Sequence, residues 1–334
     1  MKKIILATLA AASLVACAQE DVVYNTDNNA IKFDNAFVGN TTKAIDPSIT
    51  NPSDTVSLDT DLTKFLVYGT TKGVHANAEV INIFNAEEVA INANGDGWNY
   101  AADKTQYWLE GNKYNFAAVV NVGLDKTKIT TDTNGMPTSV VYAANNGDLL
   151  YARSAEDIEG LASGNKPVAF TFDHLLSKVK FSFKNETPTS TDTEKYTYRV
   201  TNIEMTGTYA EATCALDNYT WTKNNDNVAT TNYGHIVAEG VNENEEAVKV
   251  GPEATYYSNY ENLVIPGTYN VNIKCQIELL IGEQVAKVIA YDNNVKNLTL
   301  SPGTAYNFVL TGELGDSIEF IVTKVNEWHT PASV

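Results

Sequence analysis

Apolar and polar residues alternate with a period of two along much of this chain. Ile31, Phe33 and Phe37 fall on one parity with Lys32 and Asp34 on the other, the pattern of a half-buried strand whose successive side chains point to opposite faces. The cleanest alternation runs through Val168, Phe170 and Phe172 and resumes at Val179, Phe181 and Phe183, with Lys178, Lys180 and Ser182 interleaved. His174, Leu175 and Leu176 mark a corner between the two runs. Further strands are predicted at residues 65–68, 80–84, 107–122 (one or two), 149–151, 198–205, 214–221, 263–265, 269–281, 283–291, 306–311 and 318–325. The turn-forming pairs Asn94-Gly95 and Asp96-Gly97 predict a hairpin leading to Trp98 and Tyr100. Residues 155–163 read as a brief helix or loop, and 39–60 and 224–254 as polar loops. No segment carries a long 3.6-residue apolar stripe, so short strands separated by turn signals argue for an all-β chain of β-sandwiches, divided near residue 165.

Composition narrows the function. Hydrophobic residues make up 43% of the 334, enough for real cores, and the net charge is -18. With only Arg153 and Arg199 as arginines, no basic stripe can form, which excludes nucleic acid as a partner. No glycine-rich phosphate cradle, zinc-binding histidine pair or nucleophile elbow is present, and no cofactor is implied, so the chain reads as a non-enzyme. The histidines are scattered, and His174 reads as a structural donor at a strand corner rather than a catalytic base. Asn92, Asn94, Asp96, Gly97 and Asp103 imitate a calcium loop, but the first Asp and the final Glu are replaced and no flanking helices are predicted. The hairpin is the better reading, and no metal site is expected. Tyr256, Tyr257 and Tyr260 beside Trp221 are candidates for a sugar-stacking platform, or ordinary aromatics of a β-sandwich. Cys214 and Cys275 lie in strand-like segments and are either a disulfide or two buried thiols.

The N-terminus sets the compartment. Met1, Lys2 and Lys3 precede an apolar stretch that closes on Leu14, Val15, Ala16 and Cys17. That is the layout of a lipoprotein signal peptide (1–16), too short for a membrane-spanning helix. Cys17 stands where a diacylglyceryl thioether and palmitate-type acylation are built, tying the chain to outer-membrane lipid. Glu20 and Asp21 just after it resemble the export tag of surface lipoproteins in gut and oral anaerobes.

Taken in order, several weak pieces resemble the fimbrillin family, the lipoprotein pilins of type V surface pili, and in particular its minor-fimbrillin-like branch. They are the strand through Ile31, Phe33 and Phe37 leading to Thr42, Lys43 and Ala44; Phe65, Val67, Tyr68 and Gly69; Trp98 and Tyr100; Tyr107 and Trp108; Tyr114 and Phe116. Asp148 and Leu149, the run Phe170, Phe172, His174, Leu176 and Lys178, the Leu263 to Pro266 segment, Pro302, Gly303 and Tyr306, and Val325 and Trp328 complete the order.

The resemblance implies two tandem transthyretin-like β-sandwich domains, here 44–165 and 166–334, behind a propeptide at 17–43. It implies that a trypsin-like surface protease cuts between Lys43 and Ala44, that the strand bearing Ile31, Phe33 and Phe37 leaves, and that a neighbouring pilin's C-terminal strand replaces it. Ile318, Phe320 and Val322 have the period of such a donor strand (318–325), or of an ordinary last strand of their own sandwich. Two departures stand out: Lys43 replaces the arginine usual in much of the family, and only residues 329–334 follow Trp328. The short tail suggests a tip or accessory pilin. The expected function is a structural subunit of a surface fimbria serving cell adhesion, its partners other pilin subunits and a host or bacterial receptor. The alternative is a monomeric surface lipoprotein that binds glycans.

Overall fold

The structure is a computed structural model that describes residues 29–38, 62–92, 97–238, 246–315 and 317–327. The first ten strands are β1 (Phe33–Val38), β2 (Lys64–Lys72), β3 (Val80–Ile91), β4 (Trp98–Asn99), β5 (Lys113–Val120), β6 (Ile129–Thr131), β7 (Pro137–Ala143), β8 (Leu150–Arg153), β9 (Ile158–Glu159) and β10 (Val168–His174). Then follow β11 (Ser177–Asn185), β12 (Tyr196–Tyr209), β13 (Glu211–Ala215), β14 (Trp221–Lys223), β15 (Val228–Gly234) and β16 (Ile236–Val237). The last five are β17 (Thr255–Val264), β18 (Gly267–Ile281), β19 (Gln284–Leu300), β20 (Thr304–Gly312) and β21 (Glu319–Glu327). The all-β class read from the sequence is the class of the fold.

The first sheet closes on itself. Its order is β2–β3–β4–β1–β10–β8–β5, and β5 pairs back with β2, while β9 hangs on β5. A closed ring leaves no edge, and its interior must be filled by side chains. Phe65 and Val67 of β2, Phe116 and Ala118 of β5 and Leu150 and Ala152 of β8 fill it. The alternate residues Leu66, Tyr68, Ala117, Val119 and Tyr151 point outward, yet they are buried too. They pack on a second sheet of order β14–β13–β7–β6, which brings Val140, Tyr142, Ala212, Cys214 and Leu216. Burial on both faces explains why β2 and β5 are apolar runs rather than alternations. Gly69 sits where the ring is tightest: a Cβ there would lie 2.9 Å from ring carbons of both Phe84 and Phe116.

The C-terminal part is a sandwich of a five-stranded sheet, β16–β17–β11–β20–β21, on a four-stranded one, β15–β12–β18–β19. Val179, Phe181 and Phe183 of β11 face Val200, Ile203, Ile273 and Ile277 across its core. β11 lies between antiparallel β17 and parallel β20, in register with the latter from Lys178↔Ala305 to Asn185↔Gly312.

Strand placement and pairing depart from the sequence expectation in several places. β10, just past residue 165, belongs to the ring, and β13 with β14 extends the sheet of β6 and β7. The change from one strand set to the other therefore falls at the Leu175–Leu176 corner, and segment 44–165 alone holds neither β10 nor the β13–β14 hairpin. The polar stretch expected as a loop from residue 224 contains β15, with Ala229, Thr231 and Tyr233 buried on one parity. Residues 214–221, expected as one strand, instead contain the turn of the β13–β14 hairpin.

Candidate functional site

β1 fills a slot in the ring. Its parallel neighbour is β10, with Phe33 opposite Val168, and its antiparallel neighbour is β4, through the single pair Phe33↔Trp98. Just upstream, the backbone is held by the turn before β5. Ile31 N–H donates to Gln106 O and Trp108 N–H to Asn29 O, each at 2.8 Å, and on the β10 side Val168 N–H donates to Lys32 O at 2.7 Å. Tyr100 Oη donates to Ile31 O at 2.7 Å and accepts from Gln106 N–H, bridging the two sides of the slot. Burial raises the Tyr100 pKa, which keeps this hydroxyl a donor.

Ile31 and Phe33 are 1% and 3% exposed. Phe33 lies nearly parallel to Phe170, at 5.9 Å and 17°, and meets Phe65, Phe84, Tyr100 and Phe116 edge-on with centroids 5.6 to 6.2 Å away. Edge-to-face and offset stacks of this kind add about 0.5–1.5 kcal/mol per pair beyond burial. The expected third anchor behaves differently. A bulge between Asp34 and Phe37 shifts the register, so Phe37 stands opposite Thr171 rather than Phe172; its side chain lies outside the described residues. Cys17, Lys43 and Ala44 also lie outside them.

The C-terminal candidate strand is folded onto its own sandwich. β21 pairs antiparallel with β20 and forms an edge of its sheet. Ile318, Phe320 and Val322 pack partly buried on the C-terminal core, with Phe320 edge-on to Phe308 at 5.6 Å, while Ile321 on the other face is 51% exposed.

The remaining sequence candidates separate. Cys214 sits in the core between the ring and the second sheet and Cys275 in the C-terminal core, so the candidate disulfide is replaced by two free buried thiols. Burial pushes each thiol up to about 12. The aromatic platform is dispersed: Trp221 Nε1 donates to Leu175 O at 3.2 Å, Tyr256 packs on the C-terminal core, and Tyr257 lies under Lys180. A polar cleft of about 600 Å³ beside Arg199, Asn202, Asn232 and His235 is lined by none of these aromatics. His174 is buried with its Nδ1 2.6 Å from Asp148 Oδ2, a strand-corner contact. β3 and β4 pair antiparallel, with Asn92 N–H donating to Gly97 O at 2.8 Å, while Asn94, Gly95 and Asp96 lie outside the described residues. The walls of the slot, Phe84, Tyr100, Phe116 and Phe170, come from β3, the residue after β4, β5 and β10. Their aromatic character is visible in the sequence, but their convergence is not.

Comparison with known proteins gives one family and one fold. A sequence profile described as fimbrillin-like matches residues 49–328. The fold is similar to that of a fimbrial protein from Bacteroides vulgatus, at 17% identity and TM-score 0.59, covering 90% of this chain and 100% of that one. Weaker likenesses include candidate cell-adhesion proteins from Parabacteroides distasonis, at 9% identity and TM-score 0.48 over 91% of this chain and 98% of that one, and Bacteroides uniformis, at 15% and 0.43 over 90% and 99%. No curated protein matches the chain.

Proposed function

Because the chain belongs to the fimbrillin-like family, we propose that it is a structural subunit of a type V surface fimbria, serving cell adhesion and assembled by protease-gated strand exchange. The observation that carries this reading is β1, a strand that completes a closed ring and lies N-terminal to the Lys43–Ala44 peptide bond. A trypsin-like cut there leaves β1 held by noncovalent contacts alone. Its departure uncovers a trough lined by Phe65, Phe84, Phe116 and Phe170, along with unpaired backbone on β10 and on the turn before β5. Refilling the Ile31 and Phe33 positions is worth about 1.5–3 kcal/mol for each buried side chain, and the open edge adds backbone pairing.

The replacement is the C-terminal strand of another pilin. In this chain Ile318 and Phe320 repeat the spacing of Ile31 and Phe33, so β21 of a second copy, with Ile318 just before it, can present the same two side chains to the same two pockets. As an edge strand in its own sheet β21 has one neighbour; in the slot it has two. Strand addition of this type takes affinity from the backbone and register from alternate side chains, and a head-to-tail contact that does not close yields a fibre. Before processing, Cys17 holds the subunit to outer-membrane lipid at the cell surface; afterwards it passes into the fimbrium, whose receptor is a host or bacterial surface. The test is the N-terminal residue and intact mass of the protein recovered from cells. A start at Ala44 is expected, and a start at lipidated Cys17 with no shorter form refutes strand removal.

A further inference from the structure

We infer that the end of the ring where β1 enters is a lipid-facing surface, seated on the membrane while the chain is tethered through Cys17. The inference rests on the reading that Cys17 carries lipid. Three loops meet at this end. Gly111 N–H donates to Gly160 O at 2.9 Å and Gly160 N–H to Asn112 O at 2.8 Å, tying residues 107–112 to 159–162. A Cβ on Gly111 would lie 2.6 Å from Val74 Cγ1, so the turn at 73–79 abuts the same place. The chain enters between them: besides the Trp108 bond to Asn29 O, Asn29 Nδ2 donates to Ala162 O at 3.4 Å.

Exposed apolar side chains concentrate here. Val74 (64% exposed), Leu161 (50%), Leu109 (40%) and Tyr107 (39%) stand on these loops, and Ile81 and Val80 on the adjoining start of β3. Single exposed apolar residues are ordinary, whereas a cluster at one end of a molecule marks a contact.

The tether names the occupant. Cys17 precedes Asn29 by 29 - 17 = 12 residues, a reach of at most about 40 Å when fully extended. A lipid on Cys17 thus delivers this end of the ring to the bilayer first, at the high effective concentration of a short linker. Tyrosine and leucine side chains at a loop tip suit the headgroup boundary, where an apolar body meets a wet rim.

The full mature chain, reconstituted in phosphatidylcholine vesicles, provides the test. Val74→Cys, Leu161→Cys and the control Val288→Cys, from an exposed position in the C-terminal sandwich, are labelled with an environment-sensitive fluorophore; Cys214 and Cys275 are buried thiols. Intact mass establishes whether Cys17 is lipidated. Lipid-borne nitroxide is expected to quench the labels at 74 and 161 several-fold more than the label at 288. Equal quenching at all three positions in a lipidated protein overturns the inference and leaves the lipidation reading standing. A mass without lipid overturns both. Labels at 74 and 161 that become shielded without vesicles as protein concentration rises would assign the face to a second copy and overturn the lipid occupant.

Discussion

Replacing Phe33 by alanine in the uncleaved chain removes a side chain that is 3% exposed and ringed by Phe65, Phe84, Tyr100, Phe116 and Phe170. Phenylalanine-to-alanine changes in closed cores cost about 3–5 kcal/mol, transfer and cavity together. Four of these rings belong to different strands of the closed sheet and Tyr100 follows β4 directly, so they cannot all collapse inward and the upper half of that range applies. The cost should fall on β1 rather than on the whole molecule, because β1 holds its place through few backbone bonds and can open as a local unit. Amide exchange reads this directly. The N–H groups of Ile31, Val168 and Trp108 each bond across the boundary of the segment, and their protection should drop by about three decades or slightly more, at about 1.4 kcal/mol per decade. Phe181 and Phe308, in the C-terminal core, provide the control amides and should keep their protection. Equal loss of protection at both sets of amides, or no loss at the three boundary amides, would refute the idea that β1 is an independently releasable element.

Two substitutions on β21 should separate its faces. Phe320→Asp should abolish denaturant-resistant oligomers of the processed protein, while Ile321→Asp, at an exposed position, should leave them; loss in both or neither counts against donor register. The fragment 44–165 should fail to fold alone, since it lacks β10 and the β13–β14 hairpin, and a cooperative melt of that fragment would contradict the interlocked pairing. Alkaline stability tests the thiols. Burial holds Cys214 and Cys275 at about 12 against roughly 8.5 in an unfolded chain. The folded form thus keeps protons the unfolded form sheds. Stability present below about pH 8.5 is then lost as pH rises toward 12, by up to about 1.4 kcal/mol per thiol per unit. Urea midpoints at pH 7.5 and 10.5 should diverge less in Cys275→Ala than in the parent protein; identical pH slopes would exclude the thiol contribution.

Alternation was legible wherever one face of a strand is buried and the other wet. Phe170 and Phe172, and Val179, Phe181 and Phe183, lie in cores as their parity requires. Ile31 and Phe33 do so as well, but the bulge before Phe37 breaks a parity that sequence spacing assumes to be continuous. β15 was missed because its buried parity is Ala229, Thr231 and Tyr233, residues that count as polar or small although their methyl and ring surfaces pack well. β6 and β7, for which no strand was expected, form a hairpin with Gly135 in its turn and Pro137 as the first residue of β7. Pairing was the larger loss. Nothing local in residues 211–223 says that they join β7 instead of the strands around them, and the same holds for β10 and the boundary near residue 165. The slot was therefore legible through the strand that fills it and not through the walls that receive it.

The Leu175–Leu176 corner joins β10 directly to β11, and it is buried and tied to both neighbours: Leu175 N–H donates to Leu149 O and Gly303 N–H to Leu176 O. In a chain of strand-exchanged subunits, tension would enter each molecule through the strand lying along β10. It would cross this two-residue link into β11, pass to parallel β20 and leave through β21. Strands pulled lengthwise past one another load their crosswise hydrogen bonds together instead of one at a time, so the molecule would resist traction as a lap joint does. The corner would be its shortest tensile member, and the long hairpins outside that line would be spared the load.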